Sequence, residues 1–410
     1  MKRLHSMHYG WVIAATGVLV LFTCIGLARF SYTALIPGMH TGLHLGYDRL
    51  GYIGTSNFIG YLVAVFITPF MNRRYKSRLT IVLGLLLIGV CMIGMSYSNG
   101  FAAIFILFTL VGLGSGLANI PMMTLTTNWF AKEQRGKAAG LVICGNGLGI
   151  IFVGYLVPLF NRLFENEGWR YGWRVFGLIS LAIAVCAGLT LCNTPAEKRL
   201  KPVGWSETAG CRQFHTIETS NAGGILFRLG ILYLIFGVTV MVYGTFIVTT
   251  MIKEYGLSEQ RSGLFLSWIG FFSFFSGIAF GALSDKIGRK FGLLAVFTVQ
   301  TLAYLLAGLN LGNAGLAASI TLYGLSVFAP PAIVAAAIGD YFSTPRVARA
   351  FSNVTFFFAI GQTIGPAGAG LLAGESGLFS TAYLCAAVLT AAAGIFALTL
   401  PSAQGPNETR

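Results

Sequence analysis

Twelve times along this chain an apolar run of about twenty residues or more is closed by a short polar segment. The runs lie at 9–39, 48–70, 79–98, 101–129, 137–161, 172–193, 226–251, 260–283, 291–312, 315–339, 350–373 and 378–401. A helix of about 20 residues crosses the hydrocarbon core of a bilayer. Inside that core the backbone must satisfy its own hydrogen bonds, which leaves helices or closed barrels. Barrel strands alternate polar and apolar residues, and these runs do not. The pattern therefore predicts an all-α membrane protein with twelve transmembrane helices. Composition agrees, because only 10% of the 410 residues are charged where soluble domains carry about a quarter. The basic start, MKRLHSMHYGW, is like that of a signal peptide, but the apolar run continues with no small-residue cleavage site, so an uncleaved first helix is expected.

A net charge of +14 would suggest a nucleic-acid partner in a soluble chain. Here the basic residues sort by side. With the N-terminus inside, twenty of the 27 Lys and Arg fall in cytoplasmic segments and six in outer loops, and the remaining one is Arg29. That asymmetry predicts both termini in the cytoplasm and excludes a nucleic-acid role. The seven cysteines show no CxxC spacing, and six sit singly in apolar runs, where thiols act as small hydrophobes. No metal or cofactor is expected.

The longest polar stretch, 194–225, divides the chain into a 1–193 bundle and a 226–410 bundle of six runs each. The halves carry matching punctuation. GALSDKIGRK (281–290) faces PFMNRRYKSR (69–78), and NWFAKEQRGKAAG (128–140) faces DYFSTPRVARAFS (340–352). GNGLG (145–149) is matched by GQTIGPAGAG (361–370), glycines at spacings that let helices approach closely. On these residues the chain resembles the major facilitator superfamily, whose signature loop is matched by Gly281, Asp285, Lys286, Gly288, Arg289 and Lys290. RFSYTALIP in the first run is similar to a bacterial group with an Arg-Phe-x-Tyr motif. The YGW start and WFxxxxRGxAxG loop resemble the oxalate/formate and monocarboxylate porter branch.

The resemblance implies the major facilitator fold of two six-helix bundles. It also implies a secondary active transporter working by alternating access, with no enzyme activity. The branch implies a small organic anion as substrate, a monocarboxylate in the first instance. A facilitator-fold exporter of a neutral or drug-like solute, or a non-transporting membrane sensor, stands as the alternative. The expected setting is the bacterial inner (cytoplasmic) membrane, as a monomer, with a coupling proton or counter-anion left open.

Candidate site residues follow from polarity within the runs. All five histidines fall in termini or loops, and none of the thirteen Asp and Glu lies at the midplane. A titrating relay is thus limited to Asp340 and, more weakly, Asp285. Arg29 and Tyr32 share a helix face at i, i+3, and Asn57 and Tyr61 at i, i+4. Asn119, Asn146, Tyr243, Trp268, Tyr323 and Gln362 add polar points on runs that, by the resemblance, line a central cavity. Interhelical hydrogen bonding is the competing explanation for each. For a cytoplasmic gate the resemblance implies Asp285, Arg289, Asp340 and Arg135, with Asp340 pairing Arg346 or Arg349.

Arg29 constrains function most. It lies 18 residues beyond Trp11, roughly 27 Å along a helix, and the apolar run continues to Met39. Either the helix ends near Arg29 and its side chain snorkels to the outer surface, or the guanidinium faces an interior path. A mid-membrane cation costs at least about 2.5 kcal/mol and tends to mark a functional route. With no acid at its depth, it is expected to take an anion, aided by Tyr32, Asn57 and Tyr61.

Overall fold

Backbone groups that cannot reach water must bond within their own segment, and the chain meets that demand with helices. The computed structural model describes residues 8–204, 222–342 and 344–401. Among them, eleven helical stretches are long and apolar enough to cross a bilayer. The longest, α3 (Tyr47–Tyr97), is two spans in one, because Lys76 interrupts it at φ 60° and ψ 166°. A positive φ at a non-glycine residue ends regular helix, and it falls within the basic turn NRRYKSR. Twelve spans result, as the apolar runs predict.

The first span is composite. It starts as α1 (Tyr9–Leu21), widens to a π-helical stretch over Phe22–Phe30, and resumes as α2 (Ser31–Leu43). It is followed by α3, α4 (Phe101–Trp129), α5 (Lys132–Phe164) and α6 (Gly168–Thr190). The second half holds α7 (Ala222–Lys253), α8 (Glu259–Ile287), α9 (Arg289–Gly308), α10 (Gly312–Ser326), α11 (Ala329–Tyr341), α12 (Thr344–Ser376) and α13 (Ser380–Ala397).

Glycine sets the closest crossings. A Cβ on Gly26 would stand 2.5 Å from the Cα of Gly149, so α5 meets the π-helical stretch backbone to backbone. In the second half a Cβ on Gly365 of α12 would stand 2.6 Å from the Val238 carbonyl oxygen of α7. The matched glycine motifs thus serve the same contact in each half.

One apolar run is broken where the pattern predicts a single helix. Residues 315–339 fall across α10 and α11, which part at Val327 and Phe328. Pro330 and Pro331 explain the break, since neither can donate to the helix ladder. The freed groups find other partners: the Phe328 N–H donates to Ser276 Oγ at 3.0 Å, and the Ser326 carbonyl accepts from Gln300 Nε2 at 3.4 Å.

Contacts sort the chain into two compact units, one from Met1–Leu43 and Ser56–Arg212, the other from His44–Thr55 and Gln213–Arg410. In the second unit Thr55 repairs a gap beside Pro366. Its hydroxyl donates to the Thr363 carbonyl at 2.8 Å and accepts from the Ala367 N–H at 3.1 Å, standing in for a ladder bond of α12.

Candidate functional site

Arg29 lies inside a helix that runs on to Leu43. At about 1.5 Å per residue it is roughly 30 Å from Tyr9 and about 20 Å from Leu43. The helix therefore does not end at Arg29. A π-helical turn marks where a helix departs from regular bonding, often at a functional position.

The guanidinium is packed by aromatic faces. Its Cζ lies 4.8 Å from the ring centre of Phe58 and 5.1 Å from that of Tyr61, one turn apart on α3. The Tyr61 hydroxyl accepts from Asn119 Nδ2 of α4 at 3.2 Å. One turn outward along the first span, the Tyr32 ring lies 4.8 Å from that of Phe108 on α4. The Phe108 carbonyl in turn accepts from Asn57 Nδ2 at 3.3 Å. Three helices of the first unit thus bring Arg29, Tyr32, Asn57, Tyr61 and Asn119 together. Phe58 belongs with them and was not foreseen, since it has no polar atom. Its only signal was the i, i+3 spacing to Tyr61.

What this cluster leaves unpaired defines its chemistry. Arg29 Nε and Nη2 are buried with no hydrogen-bond partner, and so is Asn57 Oδ1. Among the described residues no acid forms an ion pair with Arg29. Ring faces attract the cation by about 0.5–2 kcal/mol but cannot accept its in-plane N–H groups. A buried donor left unmade costs about 1–3 kcal/mol, more when charged. The residue as a whole remains partly exposed. The arrangement fits a carboxylate, which can take both N–H groups in a fork.

The other sequence candidates are placed differently. Asn146 on α5 is buried, with its Oδ1 unpartnered, beside the Gly145 and Gly149 crossing. Tyr243 and Tyr323 were expected to line a cavity. Both are fully buried in the second unit, stacked at 4.2 Å between centroids. Tyr243 shares a hydrogen bond with Ser319 at 2.8 Å, and Tyr323 donates to the Val240 carbonyl at 2.9 Å. Tyr304 and Tyr383 complete this packed aromatic group. Gln362 is buried on α12. Trp268 is 45% exposed and meets Phe265 edge-on, with no tie to the tyrosines among the described contacts.

Three of the residues expected at a gate form a tighter set than spacing alone indicates. Arg289, at the start of α9, bonds Asp285 one turn back, Ser284 Oγ at 2.9 Å and Asp340 Oδ2 at 2.6 Å. It ties the ends of α8, α9 and α11. Among the described residues the partner of Asp340 is therefore Arg289 and not Arg349. Arg349 is exposed without an ion pair among the described residues, and the side chain of Arg346 lies outside them. Arg135 donates to the Phe130 carbonyl at 3.1 Å, closing the α4–α5 turn. Among the described residues no three metal-ligating side chains gather.

Twelve spans in this order define a multi-pass, all-α membrane protein. The fold matches a crystal structure of a D-xylose-proton symporter with a TM-score of 0.76, covering 97% of this chain and 99% of that one at 15% identity. The chain belongs to the major facilitator superfamily, in the family described as uncharacterised MFS-type transporter YbfB, whose model matches residues 21–398. It is 25% identical over 384 residues to a hexuronate transporter of Bacillus subtilis, spanning 90% of this chain and 89% of the relative. It is 23% identical over 353 residues to monocarboxylate transporter 2 of Rattus norvegicus, spanning 81% and 71%. The protein is a multi-pass integral membrane transporter of small organic solutes.

Proposed function

We propose that the protein is a secondary active transporter of a small organic anion, a monocarboxylate in the first instance, with Arg29 as its anion-binding residue. One observation carries this reading: Arg29 Nε and Nη2 are buried without a partner in the middle of a span. A carboxylate ligand would satisfy both donors and neutralise a charge that no acid balances. The relatives named for hexuronate and monocarboxylates support the same chemistry, since both names are those of carboxylates. Tyr32, Asn57, Tyr61 and Asn119 complete the substrate site, with Asn146 as a further polar point. Two six-helix bundles, 1–193 and 226–410 joined by a cytoplasmic linker, alternate access to it. The protein is a monomer of the bacterial inner membrane with both termini inside, and a proton or counter-anion drives it.

Counterflow of a labelled carboxylate in proteoliposomes tests this reading. Accumulation of label against unlabelled solute is the expected result. Ligand binding without flux would make the protein a sensor, and flux of neutral solutes alone would place the anion assignment in error.

Asp285, Arg289 and Asp340, with Arg346 and Arg349 nearby in sequence and Arg135 in the matching loop of the first half, form the cytoplasmic gate in this reading. Asp285→Asn removes one of two carboxylates from Arg289 and is expected to slow flux about tenfold. Substrate affinity should stay within about twofold, because Asp285 makes its contact within α8, α9 and α11, while the Arg29 cluster is drawn from the first span, α3 and α4. Equal loss of both would make Asp285 a folding or binding residue.

A further inference from the structure

The turn inside α3, PFMNRRYKSR, carries four basic residues and no acid. Its counterpart in the second half is neutralised locally, since Asp285 and Asp340 both pair with Arg289. In the α3 turn Arg78 is engaged in holding the end of α6. Its Nε donates to the Gly188 carbonyl at 3.1 Å, and its N–H donates to Asn193 Oδ1 at 2.9 Å. Arg73, Arg74 and Lys76 are exposed, and among the described residues none of them forms an ion pair. Arg74 Cζ lies 5.9 Å from the ring centre of Tyr75, which is exposed as well.

The helix arms on either side of these cations are apolar and exposed. On the incoming arm of α3, Ile59, Val63 and Phe70 are exposed at i, i+4 and i+11, one face of a helix, and Phe70 reaches 71%. Arg73 and Arg74 continue that face one turn on. On the returning arm Leu79, Leu83, Leu86 and Val90 are exposed at i, i+4, i+7 and i+11, a second such face. The kink at Lys76 joins the arms, so the cations stand where two apolar stripes end. Exposed apolar surface of this kind marks contact with lipid or a partner. Basic residues immediately beyond a span attract anionic head groups, and a tyrosine beside them suits the same interface.

We propose that the 70–79 turn binds an anionic phospholipid, with Arg73 and Arg74 on its phosphate and Phe70 and Leu79 against its acyl chains. Arginine suits the phosphate because its fork can take two oxygens at once. A soluble anion would use the cations and leave the stripes uncovered. A zwitterionic lipid would cover the stripes but bring no net charge to three unpaired cations. The site lies apart from the Arg29 cluster and does not rest on the reading of its ligand.

Native mass spectrometry of the purified full-length protein reads this preference directly. The protein is offered equal amounts of phosphatidylglycerol and phosphatidylcholine with the same acyl chains. The first lipid retained is expected to be phosphatidylglycerol, by tenfold or more. Arg73→Gln combined with Arg74→Gln should bring the preference within about twofold. Lys286→Gln combined with Lys290→Gln removes the same charge from the counterpart loop and should leave the preference in place. Glycerol phosphate, which has the head-group chemistry without the chains, should not displace the lipid. Equal retention of the two lipids by the unaltered protein would overturn the proposal, and that comparison needs no substitution. An unchanged preference in the Arg73 and Arg74 variant would also overturn it. Equal losses in both double variants would reduce the effect to general surface charge and remove the site. Displacement by glycerol phosphate would replace the lipid with a soluble anion.

Discussion

Replacing Arg29 by glutamine should leave the protein at least as heat-stable as before and insensitive to small carboxylates. The two halves of this expectation share one cause. Arg29 is a cation with two buried, unpaired donors and, among the described residues, no acid to balance it. On insertion scales such a charge costs at least about 2.5 kcal/mol, against about 0.5–1 kcal/mol returned by each ring face at Phe58 and Tyr61. Removing it therefore carries no penalty in stability, where breaking a paired buried charge would. Binding responds in the opposite sense. A hydrogen bond to a charged group contributes about 1.5–3 kcal/mol, so two of them are expected to carry more than a hundredfold in affinity. In thermal unfolding, carboxylates should raise the midpoint of the unaltered protein and leave that of Arg29→Gln in place. Arg29→Lys keeps the charge but not the fork, and its affinity should fall between the two. A large drop in the midpoint of ligand-free Arg29→Gln would show that the charge is paired and structural.

Gly149→Ala should damage transport almost as severely from outside the site. The glycine meets Gly26 with no side chain between them, and a Cβ at this crossing stands about 1 Å inside ordinary contact distance. The neighbour is backbone, so the helices themselves must separate. Overpacking of this kind costs about 1–3 kcal/mol. The π-helical stretch that would move ends at Phe30, beside Arg29. A displacement of about 1 Å at a positioning element can lower rates a hundredfold, so flux should fall at least tenfold, together with a lower unfolding midpoint. Gly140→Ala on the same helix is the control, because nothing lies within 4 Å of its Cβ position. It should be neutral or slightly stabilising, as alanine exceeds glycine in helix propensity by about 1 kcal/mol. Equal behaviour of the two variants would remove the crossing from any role in positioning Arg29.

These residues also show what the sequence could reveal. Span number and order were legible because the bilayer demands long apolar runs, and the kink at Lys76 fell within a visible basic turn. The matched glycines announced close crossings in both halves. The candidate cluster was legible at Arg29, since a charge so far from either end of an apolar run is rare. Its partners Tyr32, Asn57 and Tyr61 were visible through helical spacing. Tyr243 and Tyr323 were misjudged, because a tyrosine bonded inside a packed bundle and one lining a cavity look alike in sequence. Asp340 was paired with nearby arginines, but its partner Arg289 lies 51 positions upstream and only the fold brings it close. The π-helical widening had no local signal, as it coincides with a contact to Gly149 more than a hundred residues away. The break at Val327 and Phe328 had its signal in Pro330 and Pro331, overridden by the length of the apolar run.

The central claim, that an anion sits on Arg29, is tested most directly by calorimetric titration of the tightest-binding carboxylate into two purified proteins. The unaltered chain and monodisperse Arg29→Gln are titrated side by side under the same conditions. The account predicts saturable binding to the first and at least a hundredfold loss in the second. Unchanged affinity in a folded Arg29→Gln would contradict it.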